Sequence, residues 1–408
     1  MEYQYYQLKN GIRLVHKYAD SNVAHCGLII NTGSRDETKA ENGIAHFIEH
    51  CIFKGTQKRK SYHILNRLDS VGGDLNAYTT KEETAVYASF LNEYYARSFE
   101  LIADIVFNST FPEKELKKEK EVVIEEINSY KDNPSELIFD EFEQQVFANH
   151  PIGGMILGSP SNVRKFESSH LISFIDNNYN TDEMVICSVG KINFTHLVKL
   201  VERYFSEFKP NYRTKQRNPF LNYQPTSLSK NKKTFQSHCL IGNIAFAVKD
   251  ERKTALTLLN NILGGPSSNS RLSIALREKK GLSYNVESNY TPYSDTGLIN
   301  IYFGTDKETY HKAIQTVLKE LEKLRDLKLG SLQLHSAKKQ ITGQIAIAYE
   351  SNLNELLSIG KSYLVYNKVD TIEEVCAKIN AVSAEELLTV ANQIFDPNQL
   401  SILSYTSK

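Results

Sequence analysis

The residues best suited to chemistry in this 408-residue chain are His46-Phe47-Ile48-Glu49-His50. Apolar residues over 44–53 recur at helical spacing, and on a helix positions i, i+3 and i+4 share one face. Two imidazoles then stand one turn apart, able to grip one metal ion, with a carboxylate beside them. The order His-x-x-Glu-His inverts the commoner His-Glu-x-x-His zinc helix and is itself a metallopeptidase signature. Such a five-residue match arises by chance on the order of a few times in a hundred. Two histidines on an otherwise apolar helix also suit hydrogen-bonded core residues.

A hydrolytic zinc site needs a third protein ligand and an open fourth position. The run Glu119-Lys120-Glu121-Val122-Val123-Ile124-Glu125-Glu126-Ile127 is rich in suitable carboxylates. Glu119 and Glu126 lie two turns apart with Val122 and Val123 between them, a face expected to be buried, while Glu121 and Glu125 point elsewhere. Spacing alone leaves each glutamate open as a solvated surface residue.

These segments need elements to hold them. Asn10-Gly11, flanked by β-prone residues, predicts a hairpin turn. Strands are expected over 26–32, 83–90 and 184–189, helices over 93–107, 113–130 and 136–147, and a polar loop at Gly33-Ser34-Arg35-Asp36. Between 211 and 233 the texture changes to Pro, Asn, Lys and Gln, which reads as a linker between a domain at 1–210 and another at 234–408. The early pattern then returns. Leu256-Thr257-Leu258-Leu259-Asn260-Asn261-Ile262-Leu263-Gly264-Gly265 follows a strand and a polar loop as the histidine helix does, without any histidine. The stretch 276–284 likewise echoes 67–78, so the chain reads as two copies of one α/β unit.

Composition removes several classes. The 48 basic residues balance the 48 acidic ones, which leaves no global pull toward nucleic acid or anionic membrane. No run approaches the roughly 18 apolar residues of a membrane span. Five scattered cysteines without a CxxC pair disfavour a disulfide framework. The amino terminus shows no basic stretch followed by an apolar one, so the expected compartment is the cytoplasm. Gly264-Gly265-Pro266-Ser267-Ser268 lacks the Gly-Lys-Ser/Thr ending of a phosphate loop.

The ordered motifs resemble the pitrilysin-like (inverzincin, M16) metallopeptidases, which include insulin-degrading enzyme and the mitochondrial processing peptidase. The resemblance rests on Gly33-Ser34-Arg35-Asp36-Glu37, the His46 to His50 motif, Gly73-Asp74-Leu75-Asn76-Ala77-Tyr78-Thr79 and Val122-Val123-Ile124-Glu125-Glu126. It continues through Gly264-Gly265, Ser270-Arg271-Leu272, Leu276-Arg277-Glu278 and Gly281-Leu282-Ser283-Tyr284. It implies an α+β fold of two homologous domains, helices on a mostly antiparallel sheet, facing each other across a chamber.

Carried over to this chain, the resemblance makes His46, His50 and Glu126 the ligands of one zinc ion per chain, with Glu125 the runner-up. Glu49 becomes the general base, and Glu119 a carboxylate that orients a ligand histidine. Arg277 and Tyr284 match an Arg and a Tyr that reach the substrate near the metal, and Asn76, Ala77 and Tyr78 match a substrate-binding strand edge. The implied activity is zinc-dependent cleavage of peptides or unfolded segments. The short form of the family implies a homodimer, or a heterodimer with an inactive homologue. The alternative is a non-catalytic scaffold or partner subunit that keeps the peptidase fold.

Overall fold

Apolar residues fill both faces of the inner strands, so each sheet needs a helical cover on either side. The computed structural model describes residues 3–407. Its strands are β1 (Gln4–Gln7), β2 (Arg13–Tyr18), β3 (Val23–Ile30), β4 (Asp74–Thr79), β5 (Thr84–Leu91), β6 (Met184–Gly190), β7 (Ser227–Lys232), β8 (Ser237–Ala245), β9 (Val286–Pro292), β10 (Gly297–Thr305) and β11 (Ser401–Ser407). One sheet runs β1-β2-β6-β3-β5-β4 and the other β7-β11-β8-β10-β9. Without β1 the two orders match, and so do the polarities. The β2–β6 and β7–β11 pairs are parallel and every other pair is antiparallel. The duplicated, mostly antiparallel α+β plan expected from the sequence is the plan observed.

The helices in chain order are α1 (Ile44–Cys51), α2 (Ser61–Asp69), α3 (Tyr95–Phe107), α4 (Glu113–Lys131), α5 (Pro134–Val146), α6 (Pro160–Val163), α7 (Ser168–Asn178), α8 (Phe194–Phe205), α9 (Lys253–Gly264), α10 (Tyr310–Asp326), α11 (Ser331–Tyr349), α12 (Asn352–Tyr366), α13 (Ile372–Ala381) and α14 (Ala384–Ile394). One face of the first sheet, with Leu28, Val86 and Ile186, packs against α1, α2, α3, α4, α7 and α8. Its other face, with Val15, Ile29, Val185 and Cys187, is covered by Leu356, Ile359 and Tyr363 of α12. Gly360 lets α12 sit close, because a Cβ there would lie 2.5 Å from Ile29 Cδ1. The second sheet is treated alike: α9, α10 and α14 pack on one face, and Ile138, Phe142 and Val146 of α5 pack on the other.

The two compact units are therefore not the contiguous blocks 1–210 and 234–408. Unit 1 comprises the described residues up to Asn128, Gly154–Arg217 and Ile347–Thr371, and unit 2 comprises Ser129–Gly153, Asn218–Ala346 and the described residues from Ile372 on. The cause is packing: each sheet takes its second cover from the other half of the chain, at about 1.5–3 kcal/mol for each large apolar side chain buried. The expected linker also carries structure. Its first part is held in unit 1 by Arg213 and Arg217, whose guanidinium groups reach Asp36 at 2.8 and 2.7 Å, and its later part contains β7. The loop at 33–36 is likewise not solvated: Ser34 and Arg35 are buried, with Arg35 paired to Glu82 at 2.6 Å.

Candidate metal centre

The N-cap of helix α1 is Gly43, at a φ of +100°, which has no side chain with which to cap the helix. Glu37 supplies the cap from the preceding loop. Its Oε2 accepts from Gly43 N and its Oε1 from Ala45 N, both at 2.9 Å, and Asn42 Nδ2 donates to Oε2 at 3.0 Å. These bonds satisfy donors a helix start leaves unpaired. Burial pushes the Glu37 carboxyl up to about 8, against the pull of those three donors. The apolar face of α1, Ile44, Phe47, Ile48 and Cys51, is fully buried in the core, which turns His46, Glu49 and His50 the other way.

There they meet α4. His46 Nε2 lies 3.8 Å from Glu126 Oε1, and His50 Nε2 lies 3.4 Å from Glu126 Oε2. Ligand atoms of these three residues all lie within 4.8 Å of one another. Donors around a tetrahedral zinc at 2.0–2.1 Å stand about 3.4 Å apart, so the set fits a zinc ion with little movement. His50 Nδ1 faces Glu119 Oε1 at 3.0 Å, and Glu119 Oε2 takes Lys54 Nζ at 2.8 Å. A proton on Nδ1 shared with Glu119 leaves Nε2 free as a ligand. The Nδ1 of His46 is buried without a hydrogen-bond partner among the described residues.

The electrostatics agree with a cation site. Burial, then the neighbouring His50, lowers His46 to about 4, against the attraction of Glu126. Burial also pulls His50 down, but its bonds to Glu119 and Glu126 outweigh that and raise it to about 9. Glu126 is lowered by the His50 bond, against partial burial. In Glu119 burial opposes His50 and Lys54, which prevail and lower it. Two carboxylates thus hold positive charge where a divalent ion would replace a proton.

Glu49 is raised by burial, against a hydrogen bond from Thr79. Thr79 Oγ1 donates to Glu49 Oε2 at 2.5 Å, and Oε1 has no hydrogen-bond partner among the described residues. Thr79 closes β4, an edge strand paired with β5 alone among the described residues. Alternation along β4 sends Leu75 and Ala77 toward the core beneath α1. Asn76 and Tyr78 are sent to the opposite face, where the Tyr78 hydroxyl donates to Glu83 Oε1 at 3.1 Å. Of the three residues matched to a substrate edge, Ala77 therefore faces the α1 side of the sheet and Asn76 and Tyr78 face away from it, while all three lie on the edge strand.

One expectation, the buried face shared by the two valines, meets a different geometry. Val122 is 52% exposed while Val123 is fully buried, so the two valines do not share a buried face. The buried stripe is Leu116, Glu119, Val123, Ile124 and Ile127, and Val122 sits just outside it. Glu125 is exposed and outside the cluster. Arg277 and Tyr284 belong to unit 2, where both line a cleft of about 480 Å³ with Asn260 and Ser288. Arg277 lies in a π-helical stretch, Ser273–Glu278, and pairs with Glu278 at 2.8 Å; Tyr284 is 87% exposed. Three contributors were missed. Lys54 sits one turn past His50, a usable signal, whereas the roles of Thr79 and Glu37 depend on where a strand and a loop meet α1.

The chain is similar to known proteins over nearly its whole length. Residues 13–159 match the model of "Insulinase (Peptidase family M16)", and residues 165–341 match that of the "Peptidase M16 inactive domain". The chain is 36% identical over 393 residues to the Bacillus subtilis protein named uncharacterized zinc protease YmxG, spanning 96% of this chain and 95% of that one. It is 32% identical over 401 residues to an uncharacterized zinc protease of Rickettsia bellii, spanning 97% and 95% of the two chains. Two solved structures share the fold over almost the full lengths of both chains. The peptidase M16 inactive domain from Pseudomonas fluorescens has a TM-score of 0.93 at 19% identity and covers 100% of this chain and 98% of its own. A protease from Helicobacter pylori has a TM-score of 0.90 at 22% identity, with 99% of each chain covered.

Proposed function

Because this chain belongs to peptidase family M16, the insulinase family, we propose that it is a zinc-dependent endopeptidase acting on extended peptides or unfolded segments within an enclosed chamber. The observation that carries the proposal is the meeting of His46, His50 and Glu126 within 4.8 Å, with Glu49 turned to the same side of α1. When bound, zinc supplies Lewis acidity, polarising a carbonyl and making water more acidic. The protein's own groups do the rest. Glu49 Oε2 is committed to Thr79, so Oε1 takes a proton from water and returns it to the leaving amine. Glu119 holds the His50 ring in one orientation. The free margin of β4 offers main-chain groups to which an extended peptide adds as another strand, which fixes it without selecting strongly for sequence. From unit 2, Arg277 and Tyr284 are assigned to the developing oxyanion on the strength of the family resemblance, and losing such a donor costs about 3 kcal/mol of barrier.

The test is bound zinc and cleavage of a quenched peptide library by wild type and by Glu49→Gln. The variant is expected to keep its zinc and lose cleavage. Wild type that binds zinc and cleaves nothing would turn the reading to a non-catalytic scaffold. Two chains are proposed to pair, which light scattering showing only monomer would refute. No described helix is long and apolar enough to cross a membrane.

A further inference from the structure

Duplication makes each unit a template for the other, and matching their registers reveals one helix without a counterpart. In the first sheet Ser188 pairs with His16 on one side and Cys26 on the other. In the second, Ser404 pairs with Ser229 and Cys239 in the same way. The neighbouring helices follow suit: Tyr95 of α3 meets the Ser188 hydroxyl, and Tyr310 of α10 meets that of Ser404. One turn further on, Phe99 corresponds to Ile314.

In unit 1 this corner is covered by α8. Phe194 stacks on His16 and Phe205 meets Phe99 edge-on, each pair with ring centres 6.1 Å apart. Leu197, Leu200 and Val201 complete the apolar stripe of α8, and Tyr95 and Phe99 are buried. No helix follows β11 among the described residues. Tyr310 and Ile314 stay only half-buried, and a cleft of about 480 Å³ opens over Ser229, Ser404, Tyr310 and Ile314. Ser229 in the place of His16, and Ile314 in the place of Phe99, widen the seat by two rings. Lys307 and His311 also line the cleft, which has no carboxylate in its wall among the described residues.

We propose that this cleft in unit 2 is the docking site for an amphipathic helix of a partner protein, with an aromatic and aliphatic stripe like that of α8 and an acidic residue toward Lys307 and His311. The shape is set by unit 1, where a helix fills the equivalent corner. Close packing asks for large side chains to fill the space the two missing rings leave. The charge follows from the lining, since a carboxylate on the incoming helix complements the Lys307 ammonium.

The probe is a fluorescent peptide of residues 193–208, titrated by anisotropy into the Glu49→Gln protein so that it is not consumed. Saturable binding is expected, absent for a control peptide with Leu197, Leu200, Val201 and Phe205 replaced by serine. Ser229→Trp, which fills the cleft from an exposed strand, should weaken binding at least about tenfold, and Lys307→Glu by several-fold. Both variants should unfold at the wild-type temperature and, made in the otherwise wild-type enzyme, cleave a short quenched substrate at the wild-type rate. Absence of binding up to about 1 mM, or binding that neither substitution weakens, overturns the proposal. A peptide seated in the cleavage site gives the second result. Loss of all cleavage with this binding intact counts against the peptidase reading alone.

Discussion

Helices α1 and α9 hold the same place over two sheets of one strand order, and both are tied to an edge strand by a hydroxyl. In unit 1 Thr79 of β4 donates to Glu49. In unit 2 Ser288 of β9 donates to Asn260 Oδ1 at 2.5 Å, and Asn260 Nδ2 returns a bond to Ser288 O at 3.0 Å. The amide uses both its donor and its acceptor on the strand. The carboxylate gives up one oxygen and keeps the other. The helix starts differ too: Glu37 caps α1 from inside the protein, whereas Asp250 accepts from Arg252 N at the start of α9 with its side chain partly in solvent. The scaffold supplies a fixed helix and a hydroxyl tether twice, and the chemistry depends on which residues occupy one face.

The comparison predicts asymmetric responses to matched substitutions. Glu49→Gln should lower kcat by about 10³ with zinc retained, within the usual range for removing a general base. Asn260→Ala in unit 2 should leave zinc content and metal affinity unchanged; a loss of metal there would break the comparison. Glu119→Gln should weaken zinc affinity by about 10–100-fold, as removal of a partner that orients a metal-binding histidine does, read by competition with a chromophoric chelator. Glu37→Ala strands the buried Gly43 and Ala45 amides and should cost about 2 kcal/mol in denaturant unfolding, against less than about 1 kcal/mol for Asp250→Ala at a partly solvated cap. Thr79→Val should slow cleavage by about five-fold, the worth of one hydrogen bond, with Thr79→Ser restoring it. Equal effects of Thr79→Val and Ser288→Ala on the rate would show that the tether acts on the fold and not on Glu49.

What could be read in advance follows the range of the contacts involved. His46, Glu49 and His50 share a helix face because of their spacing, and Glu126 is reachable from Glu119 by the same periodicity. The strand and helix order of both halves is equally local, and so was the duplication. Thr79 could not be assigned to Glu49 from sequence, because thirty residues and a sheet edge separate them. Val122 falls outside the buried stripe because that stripe already takes the adjacent pair Val123 and Ile124, and a third successive residue turns about 100° further round the helix. The apolar patterns of α5 and α12 show that each buries a face, but not which sheet receives it. That choice breaks the contiguous domains, and only the packing reveals it.

The cover that α12 provides also bears on the order in which the protein is made. The sheet face of Val15, Ile29, Val185 and Cys187 is complete once β6 ends at Gly190, yet its lid is not synthesised until Tyr366. At about 5–20 residues per second the nascent chain carries that oily surface for on the order of ten to thirty seconds. Unit 1 therefore cannot finish folding in sequence order, since one face of its sheet must wait for a helix made long after the strands that form it.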